Sequence, residues 1–233
     1  MALPKIDLPT YELVLPSSKR KIKYRPFTVK EEKILLMLEG ADSVEDINQI
    51  LRQVLENCTF GEIDSYEIPM VDTEYLFINI RGKSVAETID YTSTCKKCKL
   101  SYELSLPISD IKVSQLPESN VVQLSDNLAV EMRFPSQSDE NKVSELNLQD
   151  KVMSYMHMCM NKIFMDDETY DTKDMTESEL IDFVDSLPGK CAEKMIKFFA
   201  KVPYCYISQE ITCPQCETKT NLRLEGLGNF FVI

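Results

Sequence analysis

Two C-x-x-C pairs, Cys95/Cys98 and Cys213/Cys216, stand in this 233-residue chain with residues 99–212, 114 positions, between them. Each pair sits in the same setting, a β-prone run, the pair, then another β-prone run, as in Ile89-Asp90-Tyr91-Thr92 before Cys95 and Gln209-Glu210-Ile211-Thr212 before Cys213. A two-residue spacer lets a tight turn aim both sulfurs at one point, and two such knuckles supply a tetrahedral site of four thiolates for Zn²⁺. Cys95, Cys98, Cys213 and Cys216 are therefore the expected ligands of one structural zinc ion. Four protein ligands leave no position for water, so such a site stabilises a fold and activates no nucleophile. Lys96, Lys97 and Lys99 would offset part of the negative charge of the four thiolates.

The wide spacing makes the intervening chain an insertion between the two hairpins of a split ribbon, and a metal clip across so long a loop restricts the unfolded chain strongly. The competing readings are a redox disulfide in either pair, or four reduced thiols without metal. A thioredoxin-like motif follows a strand and opens a helix, where the dipole lowers a thiol pKa; here both flanks read as strand. Cys58, Cys159, Cys191 and Cys205 are scattered and read as small buried hydrophobes. No stretch reaches the roughly 20 apolar residues of a membrane span, and MALPKIDLPTYEL lacks the apolar run of a signal peptide, so the expected setting is a reducing cytoplasm.

Charge narrows the partner. The net charge is -12, and it is uneven: residues 136–186 carry thirteen Asp/Glu against four Lys, while residues 1–33 carry eight Lys/Arg against four acids. A polyanion repels an acidic chain, so nucleic acid is not the expected main ligand and protein partners are.

Periodicity gives the expected fold class as α+β. Tyr11–Leu15 and Lys21–Arg25 alternate around Pro16-Ser17-Ser18 as a β-hairpin, with Ile22 and Tyr24 on one face and Lys21, Lys23 and Arg25 on a solvated one. Thr28-Val29-Lys30-Glu31 is a capping box opening a helix to about Gly40, and Ser43 opens a second with Ile47, Ile50, Leu51, Val54 and Leu55 on its buried face. Asp72 reads as the cap of a short third helix ending near Gly82. Strands are expected at Glu87–Thr92, Leu100–Leu106 and Leu128–Phe134, a helix over 146–164 with Met153, Met156 and Met160 on a core stripe, and a turn at Asp166-Asp167-Glu168. A capping box at Thr176–Glu179 and Pro188 open two further helices, and strands Tyr204–Thr212 and Thr218–Leu224 bracket the second knuckle. The expected domains are residues 1–84, an α+β domain with the hairpin and helices; 85–106 with 204–233, the split zinc ribbon; and 107–203, an inserted β-strand and acidic helical region. The apolar stretch 224–233 must dock internally or meet a partner.

Catalytic machinery is not expected. His157 has no triad partner legible in sequence, and Cys159, two positions along a helix, points elsewhere. No phosphate-cradling glycine loop or EF-hand spacing occurs, and Asp166-Asp167 and Asp182/Asp185 read as solvated surface.

The run Tyr11-Glu12-Leu13 through Lys23-Tyr24-Arg25-Pro26-Phe27-Thr28-Val29-Lys30-Glu31-Glu32-Lys33-Ile34-Leu35-Leu36 resembles the opening of the T4-type bacteriophage baseplate proteins that build the central hub. Asp72-Thr73-Glu74-Tyr75-Leu76-Phe77, Arg81-Gly82-Lys83-Ser84, both knuckles, and Leu224-Glu225-Gly226-Leu227 before Phe230-Phe231 continue the resemblance in order, most weakly over 107–175. It implies a non-catalytic hub subunit or assembly protein, made in the host cytoplasm, that contacts other tail and baseplate hub proteins, uses no small-molecule substrate, and belongs to the virion tail baseplate or its assembly. Two other classes compete: a zinc-ribbon nucleic-acid-binding module, favoured by Lys19-Arg20-Lys21 and the lysines at the first knuckle, and a thiol oxidoreductase using one C-x-x-C.

Overall fold

The computed structural model describes residues 6–41 and 43–226, and the expected docking of 224–233 falls largely on residues 227–233, outside them. The fold is α+β. From the N-terminal side the chain forms β1 (Tyr11–Val14), β2 (Lys21–Tyr24), α1 (Val29–Leu35) with a 3-10 turn Leu36–Gly40, α2 (Val44–Cys58), α3 (Met70–Ser84), β3 (Thr88–Thr94), β4 (Ser101–Pro107) and β5 (Lys112–Val113). There follow β6 (Val121–Gln123), β7 (Leu128–Met132), α4 (Gln137–Val143), α5 (Leu148–Met158), β8 (Met160–Met165), β9 (Glu168–Asp171), α6 (Glu177–Asp185), α7 (Gly189–Phe199), β10 (Cys205–Thr212) and β11 (Lys219–Glu225). Two compact units result, one of Met1–Ser65, Val71–Ser114 and Tyr204–Ile233, the other of Tyr66–Met70 and Gln115–Pro203.

In the first unit β1 and β2 pair antiparallel, with Tyr11 opposite Tyr24, and Ile22 and Tyr24 are buried while Lys21 and Lys23 face water. Arg25 departs from the solvated face expected for it. Its guanidinium donates to both carboxylate oxygens of Glu31, at 3.0 and 3.1 Å, and Glu31 is fully buried. The cause lies in the capping box: Glu31 reaches back to the Thr28 amide at 2.9 Å, and a carboxylate desolvated by that duty needs a charged partner. Burial pushes the Glu31 pKa up, but the bonds from Arg25 and Thr28 outweigh it and hold it at about 2.

Asp72 does not cap α3. It lies inside the first turn, fully buried, and accepts from the Ser17 amide at 2.8 Å and the Ser17 and Ser18 hydroxyls at 2.7 and 3.0 Å, which ties the β1–β2 turn to α3. Nor is α3 short: it runs past Gly82 to Ser84. Gly82 serves a close approach instead of a helix stop, because a Cβ there would stand 3.1 Å from Ile108 Cδ1. One core cluster of this unit joins Val71 and Ile78 of α3 to Ile89 and Leu106 of one hairpin and Ile207 and Leu224 of the other, so α3 is the base on which both hairpins stand.

In the second unit β6, β7, β8 and β9 form an antiparallel sheet in that order, with Val130 opposite Ile163. Its core gathers Val130, Met132, Phe134, Met156, Met160 and Phe198 among others, and the Phe134 and Phe198 rings stack at 4.8 Å. The single helix expected over 146–164 is instead a helix to Met158 and a strand from Met160, with Cys159 as the C-cap between them. The apolar residues of 160–164 fit either period, and pairing with Met132, Val130 and Ala129 decides for the strand. Sequence reading also missed α4, whose N-cap Ser136 accepts from the Asp139 amide while Asp139 accepts from the Ser136 amide at 2.8 Å. Buried Asp139 pairs with Arg133, Nη2 to Oδ1 3.0 Å.

Candidate metal centre

Both C-x-x-C pairs occupy the turns of antiparallel hairpins. β3 and β4 pair from Thr88 opposite Pro107 to Thr94 opposite Ser101, and β10 and β11 from Tyr206 opposite Glu225 to Thr212 opposite Lys219. The two turns repeat one geometry. The Cys95 amide donates to the Leu100 carbonyl at 2.8 Å and the Lys99 amide to the Cys95 carbonyl at 3.0 Å; the Cys213 amide donates to Thr218 and the Glu217 amide to Cys213, each at 3.0 Å. The residue after the second cysteine turns left-handed in both, Lys99 at φ 64° and Glu217 at φ 53°.

These turns bring all four Sγ atoms within 4.8 Å of one another, with Cys95 to Cys216 and Cys98 to Cys213 each 3.6 Å. Cys95 and Cys213 are buried, Cys98 and Cys216 half-buried, and all eight cysteines are free thiols. The cluster could hold a metal ion. Backbone amides of Cys98 and Lys97 pull the Cys95 thiol below its ordinary pKa, and the Thr218 hydroxyl and amide bring Cys216 down to about 6. For Cys98 the Leu100 amide acts in the same direction, but desolvation and the sulfurs of Cys213, Cys216 and Cys95 push it up to about 12. The donors around the sulfurs thus favour thiolate, the metal-ligating form, while the crowding of four like charges opposes it until a cation is present. Thr218, whose Oγ1 lies 3.2 Å from Cys216 Sγ, was missed in the sequence; a hydroxyl two positions past a ligand is the signal that could have found it.

The other cysteines lie elsewhere. Cys58, Cys159, Cys191 and Cys205 are buried, and burial pushes the Cys58 and Cys159 thiols up to about 12. His157 meets Glu177 at 3.8 Å, a carboxylate the sequence did not offer it, and burial lowers its pKa. Of the methionine stripe, Met156 and Met160 are core, while Met153 is exposed. Lys96, Lys97 and Lys99 are exposed around the first knuckle.

A protein-family model described as T4 bacteriophage base plate protein matches residues 8–232, which include all four clustered cysteines. The chain belongs to this family. It is a phage baseplate structural protein, and the match runs through both units, including the region over 107–175 where the motif resemblance is weakest. No curated protein matches the chain, and no solved structure does. Among the described residues of this baseplate protein, no helix is long and apolar enough to cross a membrane.

Proposed function

We propose that the chain is a non-catalytic subunit or assembly protein of the baseplate hub, acting through contacts with other tail and hub proteins and held in shape by one structural Zn²⁺. The observation that carries the reading is the baseplate family match over residues 8–232. Zinc is supported by the donor set. Four thiols on two hairpin turns are the soft ligands zinc takes, and a tetrahedral site with Zn–S of about 2.3 Å spaces its sulfurs about 3.8 Å apart, near the 3.6 Å of the Cys95–Cys216 and Cys98–Cys213 pairs. Cys95, Cys98, Cys213 and Cys216 would hold the ion, and all four positions would be filled by protein. The ion's part is then to lock two hairpin ends together. The protein would be made in the host cytoplasm and act there during tail assembly, without a small-molecule substrate.

Metal content by mass spectrometry, on protein purified without chelator, tests the zinc: one ion per chain is expected, lost in Cys95→Ser and in Cys213→Ser alike. Retention in one variant would break the shared site. The hub role is tested by affinity purification from infected cells with stable-isotope quantification; enrichment of baseplate proteins outside the hub, with hub proteins at background, would overturn it. A nucleic-acid-binding ribbon is the second reading, favoured by the exposed Lys96, Lys97 and Lys99. Salt-sensitive binding to duplex DNA that falls with Lys96→Glu would support it, and its absence at physiological salt would end it.

A further inference from the structure

Helix α1 and the 3-10 turn after it present three apolar side chains to water: Val29, Leu36 and Met37 are 64%, 60% and 62% exposed. Positions 29, 33, 36 and 37 follow the three- and four-residue spacing of one helix face. Lys33 stands on that face between Val29 and the Leu36/Met37 pair, with Lys30 and Glu32 to its sides; all three are exposed, and neither lysine forms an ion pair among the described residues. An exposed apolar cluster of this kind is the mark of an interaction site, and the two lysines on it suit an acidic occupant.

The chain itself carries a helix of that description. α6 turns Glu177, Ile181, Asp182 and Asp185 to one exposed face; Ile181 is 38% exposed, and Asp182 and Asp185 form no ion pair among the described residues. One apolar side chain ringed by three carboxylates is complementary to a face that carries three apolar side chains and two lysines. The charge along the chain runs the same way, basic over residues 1–33 and acidic over 136–186. We propose that α1 of one copy docks on α6 of a second copy, with Ile181 seated among Val29, Leu36 and Met37, and Lys30 and Lys33 facing Glu177, Asp182 and Asp185.

The two patches differ, so the contact is head-to-tail and propagates until a ring closes. One helix face against another is smaller than a standard stable interface, so the association is weak, concentration-dependent and salt-sensitive. It uses neither cysteine pair and stands or falls independently of the zinc and hub readings.

Sedimentation equilibrium on the full chain tests it, with Lys30→Glu/Lys33→Glu as one variant and Asp182→Lys/Asp185→Lys as the other. The wild type should form concentration-dependent larger species at about 0.05 M salt and become monomeric at about 0.5 M. Each variant alone should be monomeric with an unchanged circular dichroism spectrum, and an equimolar mixture of the two should associate again, since each offers the other a complementary pair. Leu36→Ser, which leaves the charges intact, should weaken the wild-type association about tenfold. A monomeric wild type at low salt, a variant that still self-associates, or a mixture that stays monomeric would each overturn the proposal.

Discussion

The two knuckled hairpins and the four-stranded sheet of the second unit are both antiparallel β-structure, yet they are covered differently. In β7, Val130 and Met132 are buried in a core that also takes side chains from α5 and α7. In the hairpins, Ile89, Leu106, Ile207 and Leu224 are buried near the base, Tyr91, Leu104 and Leu222 are half-buried farther up, and burial returns at the knuckles with Ile211, Cys95 and Cys213. Two-stranded hairpins are marginal in water, so their upper halves need another source of order. The four clustered cysteines sit beyond that half-buried stretch, in a small, partly buried group of their own with Ile211 near Cys213 in the chain. The sheet is held by packing, while the proposed zinc ion would hold the hairpin ends.

Removing the proposed zinc ion should separate the two regions most sharply. Structural zinc contributes on the order of 10 kcal/mol in small zinc domains. Hydrogen exchange after chelation should therefore show β3, β4, β10 and β11 losing nearly all protection above Ile89 and Ile207, with β7 and β8 unchanged. Equal loss in β7 would mean that the sheet depends on the clip too, and the contrast would fail.

The converse test strikes the packed core. Phe134 is 2% exposed and stacked on Phe198, so Phe134→Ala should cost about 3–5 kcal/mol through lost burial and a cavity. Urea unfolding should report that loss, while metal stoichiometry stays that of the parent protein.

A smaller effect is expected at the buried ion pair of the second unit. Burial pushes the Asp139 pKa up, but the Arg133 guanidinium and the Ser136 amide outweigh it and hold it below its ordinary 3.8. A depressed carboxylate contributes stability that is fully present above the unfolded pKa and is lost as pH falls through the folded one. The second unit should therefore weaken below about pH 4. Asp139→Asn should lose about 3 kcal/mol at neutral pH, because Arg133 is left without its charge partner, and its stability should fall less steeply with acid than the parent's. An unchanged acid slope in the variant would remove Asp139 from the account.

Sequence reading went furthest where a motif has one physical meaning. The capping boxes at Thr28 and Thr176 start helices where expected, and the two knuckles announce both the hairpins and the meeting of their sulfurs, because C-x-x-C between β-prone runs has few other folded solutions. It failed where the deciding partner is distant. Residues 160–164 became a strand only through β7, Asp72 found Ser17 and Ser18 across 55 and 54 positions, and Arg25 turned inward because Glu31 was buried. Ser136-x-x-Asp139 has the form of a cap, but no strong apolar run follows it in the sequence. Head-to-tail complementarity between α1 and α6 is invisible to local periodicity, which says which face is apolar and not what covers it.

The smallest expected effect bears on the knuckles themselves. Lys99 and Glu217 hold left-handed backbone, a conformation that costs a non-glycine residue about 1–2 kcal/mol. Glycine relieves that strain but loses about 0.5–1 kcal/mol more conformational entropy on folding. Lys99→Gly and Glu217→Gly should each stabilise the hairpins by at most about 1 kcal/mol, read as a small rise in the chelator concentration needed to melt them. The two gains should be similar, since the turns share one hydrogen-bond pattern. A gain confined to Glu217→Gly would show instead that the Lys99 charge itself steadies the thiolates, with Lys99→Gly removing that contribution as it relieves the backbone.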